Sequence, residues 1–124
     1  MTDVTGFGLG GHMLEICRGS KLGASVRFDD LPVLEEALSW VRQGIATGAS
    51  GRNWAGYAQE VKCPADFADW KRNLITDPQT SGGLLVACAP DAADDVLRIF
   101  MAEGFAQAAK IGVMTGSDAV LTIL

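Results

Sequence analysis

Fifteen glycines in 124 residues, against a typical usage of roughly 7%, limit this chain more than any other feature of its sequence. They gather in three places. Gly6, Gly8, Gly10 and Gly11 open the chain, Gly44, Gly48, Gly51 and Gly56 run through its middle, and Gly82 and Gly83 stand directly before the most apolar stretch. Glycine weakens helix and strand interiors but permits tight turns and close backbone approach, so the spacing predicts short elements around glycine-rich junctions. There is no internal repeat and no low-complexity linker. The length suits one domain over residues 1–124, and 48% hydrophobic with 20% charged residues is a globular balance.

The longest apolar run, residues 84–89, is far short of the roughly 20 residues a bilayer span needs, and no basic segment leads into an apolar one at the start. A soluble, cytoplasmic protein with no membrane partner is expected. Ten basic against fifteen acidic residues give a net charge of -5, and the largest basic cluster is Lys71-Arg72, so a nucleic-acid footprint is missing. A metal-bridged anion remains compatible with that charge.

Three cysteines without a CxxC pair, and one histidine, indicate neither a disulfide framework nor a zinc site. Cys17 and Cys88 fall in apolar patterns and read as core filling, whereas Cys63, before Pro64, reads as the exposed thiol. His12 and Cys17 are five positions apart and do not stack on one helix face, which argues against a Cys/His nucleophile pair.

Leu9, Met13, Ile16 and Cys17 follow helical spacing, predicting a helix over residues 10–18 with Gly19 as its left-handed cap. Residues 24–28 alternate as a half-buried strand. A second helix is expected from about Pro32 to Gly44, with Leu34, Ala37, Leu38 and Val41 inward. Residues 45–65 lose all periodicity and read as a long functional loop. A short helix over 65–74 and a turn at Thr76-Asp77-Pro78-Gln79 follow. Residues 84–89 read as a strand buried on both faces. Asp91 is placed to cap a third helix carrying Ala93, Val96, Leu97 and Phe100, closed by Gly104. Residues 110–114 and 120–124 read as a hairpin turning at 116–118. The expected class is α+β, a mixed sheet of about four or more strands packed against helices.

Three segments carry residues suited to chemistry. Thr2-Asp3-Val4-Thr5-Gly6-Phe7-Gly8-Leu9-Gly10-Gly11-His12 contains a literal GxGxxG before a helix, with Asp29 as a ribose-binding candidate, but lacks the apolar first strand of a dinucleotide fold. In the same segment Asp3 is either a turn cap or a hard oxygen ligand for Mg²⁺ beside phosphate-binding N–H groups. A single carboxylate leaves such a metal site short of ligands. Thr76-Asp77-Pro78-Gln79-Thr80-Ser81-Gly82-Gly83 is a hydroxyl-rich turn entering a strand; its glycines serve either φ angle or close approach of an anion. It is not a P-loop. Arg52, in Gly51-Arg52-Asn53-Trp54, is either a phosphate fork or a solvated charge, and Trp40, Trp54 and Trp70 read as core or lid packing.

Together, Thr2 to Leu9 with His12, then Arg52-Asn53, then Asp77-Pro78-Gln79-Thr80-Ser81-Gly82-Gly83-Leu84-Leu85, resemble the C-terminal domain of the selenophosphate synthetases, in the superfamily that includes aminoimidazole ribonucleotide synthetase. The resemblance covers essentially the whole chain. It implies an enzyme that uses ATP, selenide and water to make selenophosphate, AMP and phosphate, with Mg²⁺ and often K⁺, working as a homodimer. It also implies that Asp3 is a metal ligand completed by carboxylates of an N-terminal domain, which holds the catalytic cysteine or selenocysteine as well. The chain is then expected to be an inactive half of that enzyme, with Thr5, Arg52, Asn53, Thr80, Ser81 and Gly82 lining the substrate or phosphate side of a cleft. The family commonly carries a bulkier apolar residue where this chain has Gly10, which predicts fraying of the first helical turn when no N-terminal domain covers it. The competing reading is a noncatalytic nucleotide-sensing or dinucleotide-binding module.

Overall fold

A computed structural model describes residues 1–116 and 118–124. The elements in chain order are β1 (Thr2–Asp3), α1 (Gly8–Ser20), β2 (Gly23–Val26), α2 (Glu35–Arg42), α3 (Gly48–Tyr57), β3 (Val61–Lys62), α4 (Asp69–Thr76), β4 (Leu84–Leu85), α5 (Ala93–Ala102), β5 (Gly112–Thr115) and β6 (Leu121–Ile123). Short 3-10 turns occupy Phe28–Asp30, Ala58–Glu60 and Pro90–Ala92. The strands form a two-stranded sheet, β1-β4, and a four-stranded mixed sheet in the order β3-β6-β2-β5. The α+β class and the mixed sheet are as expected.

The four-stranded sheet is organised by burial. Ala24 and Val26 of β2 and Leu121 and Ile123 of β6 alternate into the core, and these two strands lie side by side in parallel at its centre. Leu14 and Cys17 of α1, both fully buried, join the same core, with Val61 and Ile75. Helix α4 contacts α1, α2 and α3, so one helix face ties together the layer above the sheet. Phe28 meets Phe67 and Trp70 edge-on at 5.7 and 5.6 Å, closing the core next to β2.

Several expectations require correction. Strands β5 and β6 are not hairpin partners, because β2 lies between them, antiparallel to β5 and parallel to β6. Alternation identified both strands, but the apolar face of β2 makes it the better neighbour for each. The predicted turn at 116–118 includes Ser117, which lies outside the described residues. Helix α1 runs past Gly19; Lys21, at φ 57°, is the left-handed cap, and the Ser20 hydroxyl donates 2.8 Å to the Ile16 carbonyl within the added turn. The first strand is shorter than residues 24–28, since Phe28 already belongs to a 3-10 turn.

The supposed loop 45–65 contains α3. Thr47 caps it by accepting a 3.3 Å bond from the Ser50 amide, and burial of Ser50 and Tyr57 outweighs the low helix propensity of its three glycines. Helix α2 starts at Glu35 and buries only Val41 of its anticipated stripe, while α4 sits later than residues 65–74. The strand expected over 84–89 shrinks to β4, because its partner β1 has only two residues: Leu85 is buried, Leu84 is 56% exposed and Cys88 is exposed. Cys88 is therefore the exposed thiol, and Cys63 is half-buried. Asp91 lies within a 3-10 turn instead of capping α5, which buries no residue fully; Gly104, at φ +92°, does close it. Trp40 is exposed, unlike Trp54 and Trp70, which pack against the core.

Candidate functional site

The segment from Thr2 to Gly8 is fixed by hydrogen bonds to the second glycine-rich turn. In the antiparallel pair β1-β4, Thr2 faces Leu85 and Asp3 faces Leu84. The ladder continues beyond the strands: the Val4 amide donates 3.0 Å to the Gly83 carbonyl, and the Gln79 amide donates 3.0 Å to the Thr5 carbonyl. Gly82 packs directly beneath the Val4 carbonyl, where a side chain has no room. Gly8, at φ +69°, turns the chain into α1 against the Ile75 and Thr76 backbone, and a Cβ here would lie 2.7 Å from the Ile75 oxygen.

Helix α3 binds this junction from the other side. The Asn53 amide group donates 2.9 Å to the Gly6 carbonyl and 2.9 Å to the Thr76 carbonyl, bridging the first and third motifs. The Tyr57 hydroxyl donates 2.9 Å to the Phe7 carbonyl, and burial pushes its pKa up to about 12. Ser50 donates to Asp77 Oδ1 at 3.3 Å. The three segments singled out in the sequence thus converge on one surface.

The candidate side chains differ in their freedom. Asp3 is exposed, and among the described residues its carboxylate has no hydrogen-bond or ion-pair partner. Thr5 is half-buried, and its hydroxyl lies 3.1 Å from His12 Nε2, whose Nδ1 lies 2.9 Å from Glu15 Oε2. Arg52 is an exposed helix residue, not a loop residue. Asn53 acts on backbone carbonyls, so its amide N–H groups are engaged within the fold. Thr80 and Ser81 are exposed and Gly82 is half-buried. Glu15, Ser50 and Tyr57 stand outside the three sequence motifs and His12 stands in the first without a role of its own; the i, i+3 spacing of His12 and Glu15 on a helix is the signal that joins them.

Other groups contribute less. Burial raises the pKa of the Cys17 thiol, and that of Cys63 is likewise raised despite the opposing charge of Arg72. Among the described residues no three His, Cys, Asp or Glu side chains cluster closely enough to hold a metal ion. A depression of about 700 Å³ beside Arg18, Lys21 and Ala119 lies by the far end of α1 and touches none of the three motifs. The GxGxxG reading as a dinucleotide site fails on topology, since β1 and β2 belong to different sheets and form no parallel βαβ unit.

Residues 1–123 match the family described as AIR synthase related protein, C-terminal domain. The chain belongs to that family. This AIR synthase related domain is also similar to curated proteins called selenide, water dikinase. The protein from Paraburkholderia xenovorans (strain LB400) is 53% identical over 118 residues, covering 95% of this chain and 33% of the relative. Those from Dechloromonas aromatica (strain RCB) and Burkholderia ambifaria (strain MC40-6) are 47% and 55% identical, covering 100% and 92% of this chain but 36% and 32% of the relatives. The domain therefore spans about a third of the length of the curated relatives it matches. Among the described residues, no helix is long and apolar enough to cross a membrane.

Proposed function

We propose that this domain is the C-terminal part of an ATP-dependent selenide, water dikinase, and that its direct contribution is the carboxylate of Asp3. The observation that carries this reading is an exposed, unpartnered acidic side chain on a backbone anchored through β4, Gly83 and Gln79. A surface aspartate that served only as a cap would be bonded to nearby amides. The oxygen donor suits Mg²⁺, which commonly takes one or two protein carboxylates along with phosphate oxygens. Further carboxylates come from an N-terminal domain of the same enzyme, which also supplies the catalytic cysteine or selenocysteine.

When bound, Mg²⁺ supplies charge neutralisation at the phosphate oxygens of ATP during phosphoryl transfer, with K⁺ as an accessory ion. Asp3 holds its carboxylate at a fixed point of the cleft wall. Arg52 offers forked donors to phosphate from the first turns of α3, and Thr80, Ser81 and the backbone at Gly82 line the same wall and limit access of bulk water. Asn53 keeps these pieces in register. In the cell we place the enzyme in the cytoplasm as a homodimer. Replacing Asp3 by Asn in the full-length enzyme tests the reading: turnover is lost while the circular dichroism spectrum and melting temperature are retained. Normal turnover contradicts it.

A further inference from the structure

Thr5 is held more tightly than a cleft-lining residue requires. Its carbonyl accepts two backbone N–H groups, from Gly8 at 3.1 Å and Gln79 at 3.0 Å. Its hydroxyl ends a chain of side chains, Glu15 Oε2 to His12 Nδ1 at 2.9 Å and His12 Nε2 to Thr5 Oγ1 at 3.1 Å. His12 is buried in α1 beside Phe7, with ring centroids 5.8 Å apart, whereas Glu15 is exposed.

The direction of this chain follows from donor chemistry. A carboxylate only accepts, so in the neutral form of His12 the ring proton is on Nδ1 and points to Glu15, whereas a doubly protonated ring would also donate from Nε2 to Thr5. In the neutral form Nε2 presents a lone pair, and the single hydroxyl hydrogen of Thr5 is committed to it. Toward anything else, Thr5 Oγ1 acts only as an acceptor. Thr5 lies two residues after Asp3, at the end of the segment that β4 and Gln79 anchor, and like Asp3 it is not buried, whereas Val4 between them is.

We propose that Thr5 is a catalytic residue that accepts a hydrogen bond from the reacting water, and that His12 and Glu15 are positioning residues which fix the polarity of its hydroxyl. Water is named as a reactant in the printed name of the relatives. An acceptor on a fixed backbone takes one water hydrogen and turns a water lone pair toward the phosphoryl group. The water oxygen bonds to phosphorus as the phosphorus–oxygen bond to the departing nucleotide breaks; that electron pair leaves on the nucleotide oxygen, and the water protons stay with the phosphate formed. This inference rests on the reading of Asp3 as part of the phosphate-binding cleft.

Two measurements test it. This chain contains a single histidine, so long-range nitrogen-15 NMR of the 124-residue protein near neutral pH reports His12 alone. The expected spectrum is the Nδ1–H tautomer, with Glu15→Ala shifting the population toward Nε2–H; a dominant Nε2–H form or a dominant doubly protonated ring in the unmodified protein overturns the proposal. In the full-length enzyme, Thr5→Val lowers kcat by about tenfold or more while KM for ATP stays within about twofold, and Thr5→Ser restores most of the rate. Unchanged kcat in Thr5→Val, alongside loss of turnover in Asp3→Asn, overturns the water-orienting role and leaves the Asp3 reading standing. Normal turnover in Asp3→Asn removes the foundation of both.

Discussion

Asn53 and Tyr57 show how two side chains one helical turn apart hold the backbone of the first glycine-rich motif in place. Each reaches from α3 to carbonyls at the start of α1, and Asn53 also reaches the end of α4. Asn53→Ala removes two hydrogen bonds to carbonyls, so chemical denaturation is expected to show a loss of about 1–3 kcal/mol. An unchanged midpoint contradicts the bridging role. Tyr57 adds a pH signature. Its phenol is an acid whose folded pKa lies above the unfolded value near 10, so its stabilising contribution is complete below pH 10 and disappears as pH rises to about 12. The loss amounts to roughly 3 kcal/mol, and Tyr57→Phe is expected to flatten the stability profile over that window while costing about 1 kcal/mol at neutral pH. Because Tyr57 is the only tyrosine, tyrosinate absorbance follows it without ambiguity. None of this is legible in the sequence, where Asn53 reads as cleft-lining and Tyr57 is one aromatic in a stretch without periodicity.

At the scale of elements, β1 and β4 are too short to persist alone and depend on the close passage of Gly82 beneath Val4. A Cβ at position 82 would collide with the Val4 carbonyl and stand 2.8 Å from Gln79 Oε1, whereas one at Gly83 meets nothing within 4 Å. Gly82→Ala is therefore expected to destabilise the domain by about 1–3 kcal/mol, and Gly83→Ala to change stability by less than about 0.5 kcal/mol. Equal melting temperatures for the two variants would count against the close approach. The adjacent glycines were conspicuous in the sequence, but only the fold distinguishes the one that is required. Elements with a clear period, α1 and the strands at 23–26, 112–115 and 121–123, were legible to within a few residues. Helix α3 was not, since Gly and Ser are poor helix formers and its stability comes from packing on α4. Gly10 is buried against α3, where a Cβ would lie 3.2 Å from the Tyr57 hydroxyl, a contact that no sequence pattern announces.

Over the whole molecule, three segments spread across more than two thirds of the chain are joined by hydrogen bonds at one junction. Which residues carry the motifs was legible; how they meet was not, since hydrogen bonds such as Val4 to Gly83 leave no mark on composition. Among the described residues no three acidic, histidine or cysteine side chains form a metal-holding cluster, so under the proposed function Asp3 needs ligands from elsewhere. Isothermal titration of this domain alone with Mg-ATP is accordingly expected to show little binding, and micromolar affinity would mean that the nucleotide site lies within these residues. The same incompleteness makes Asp3 the point on which the proposed function turns. The most direct measurement is the rate of selenide- and water-dependent AMP formation by the full-length enzyme carrying Asp3→Asn: turnover is predicted to vanish with the fold intact, and turnover near the unmodified rate contradicts the account.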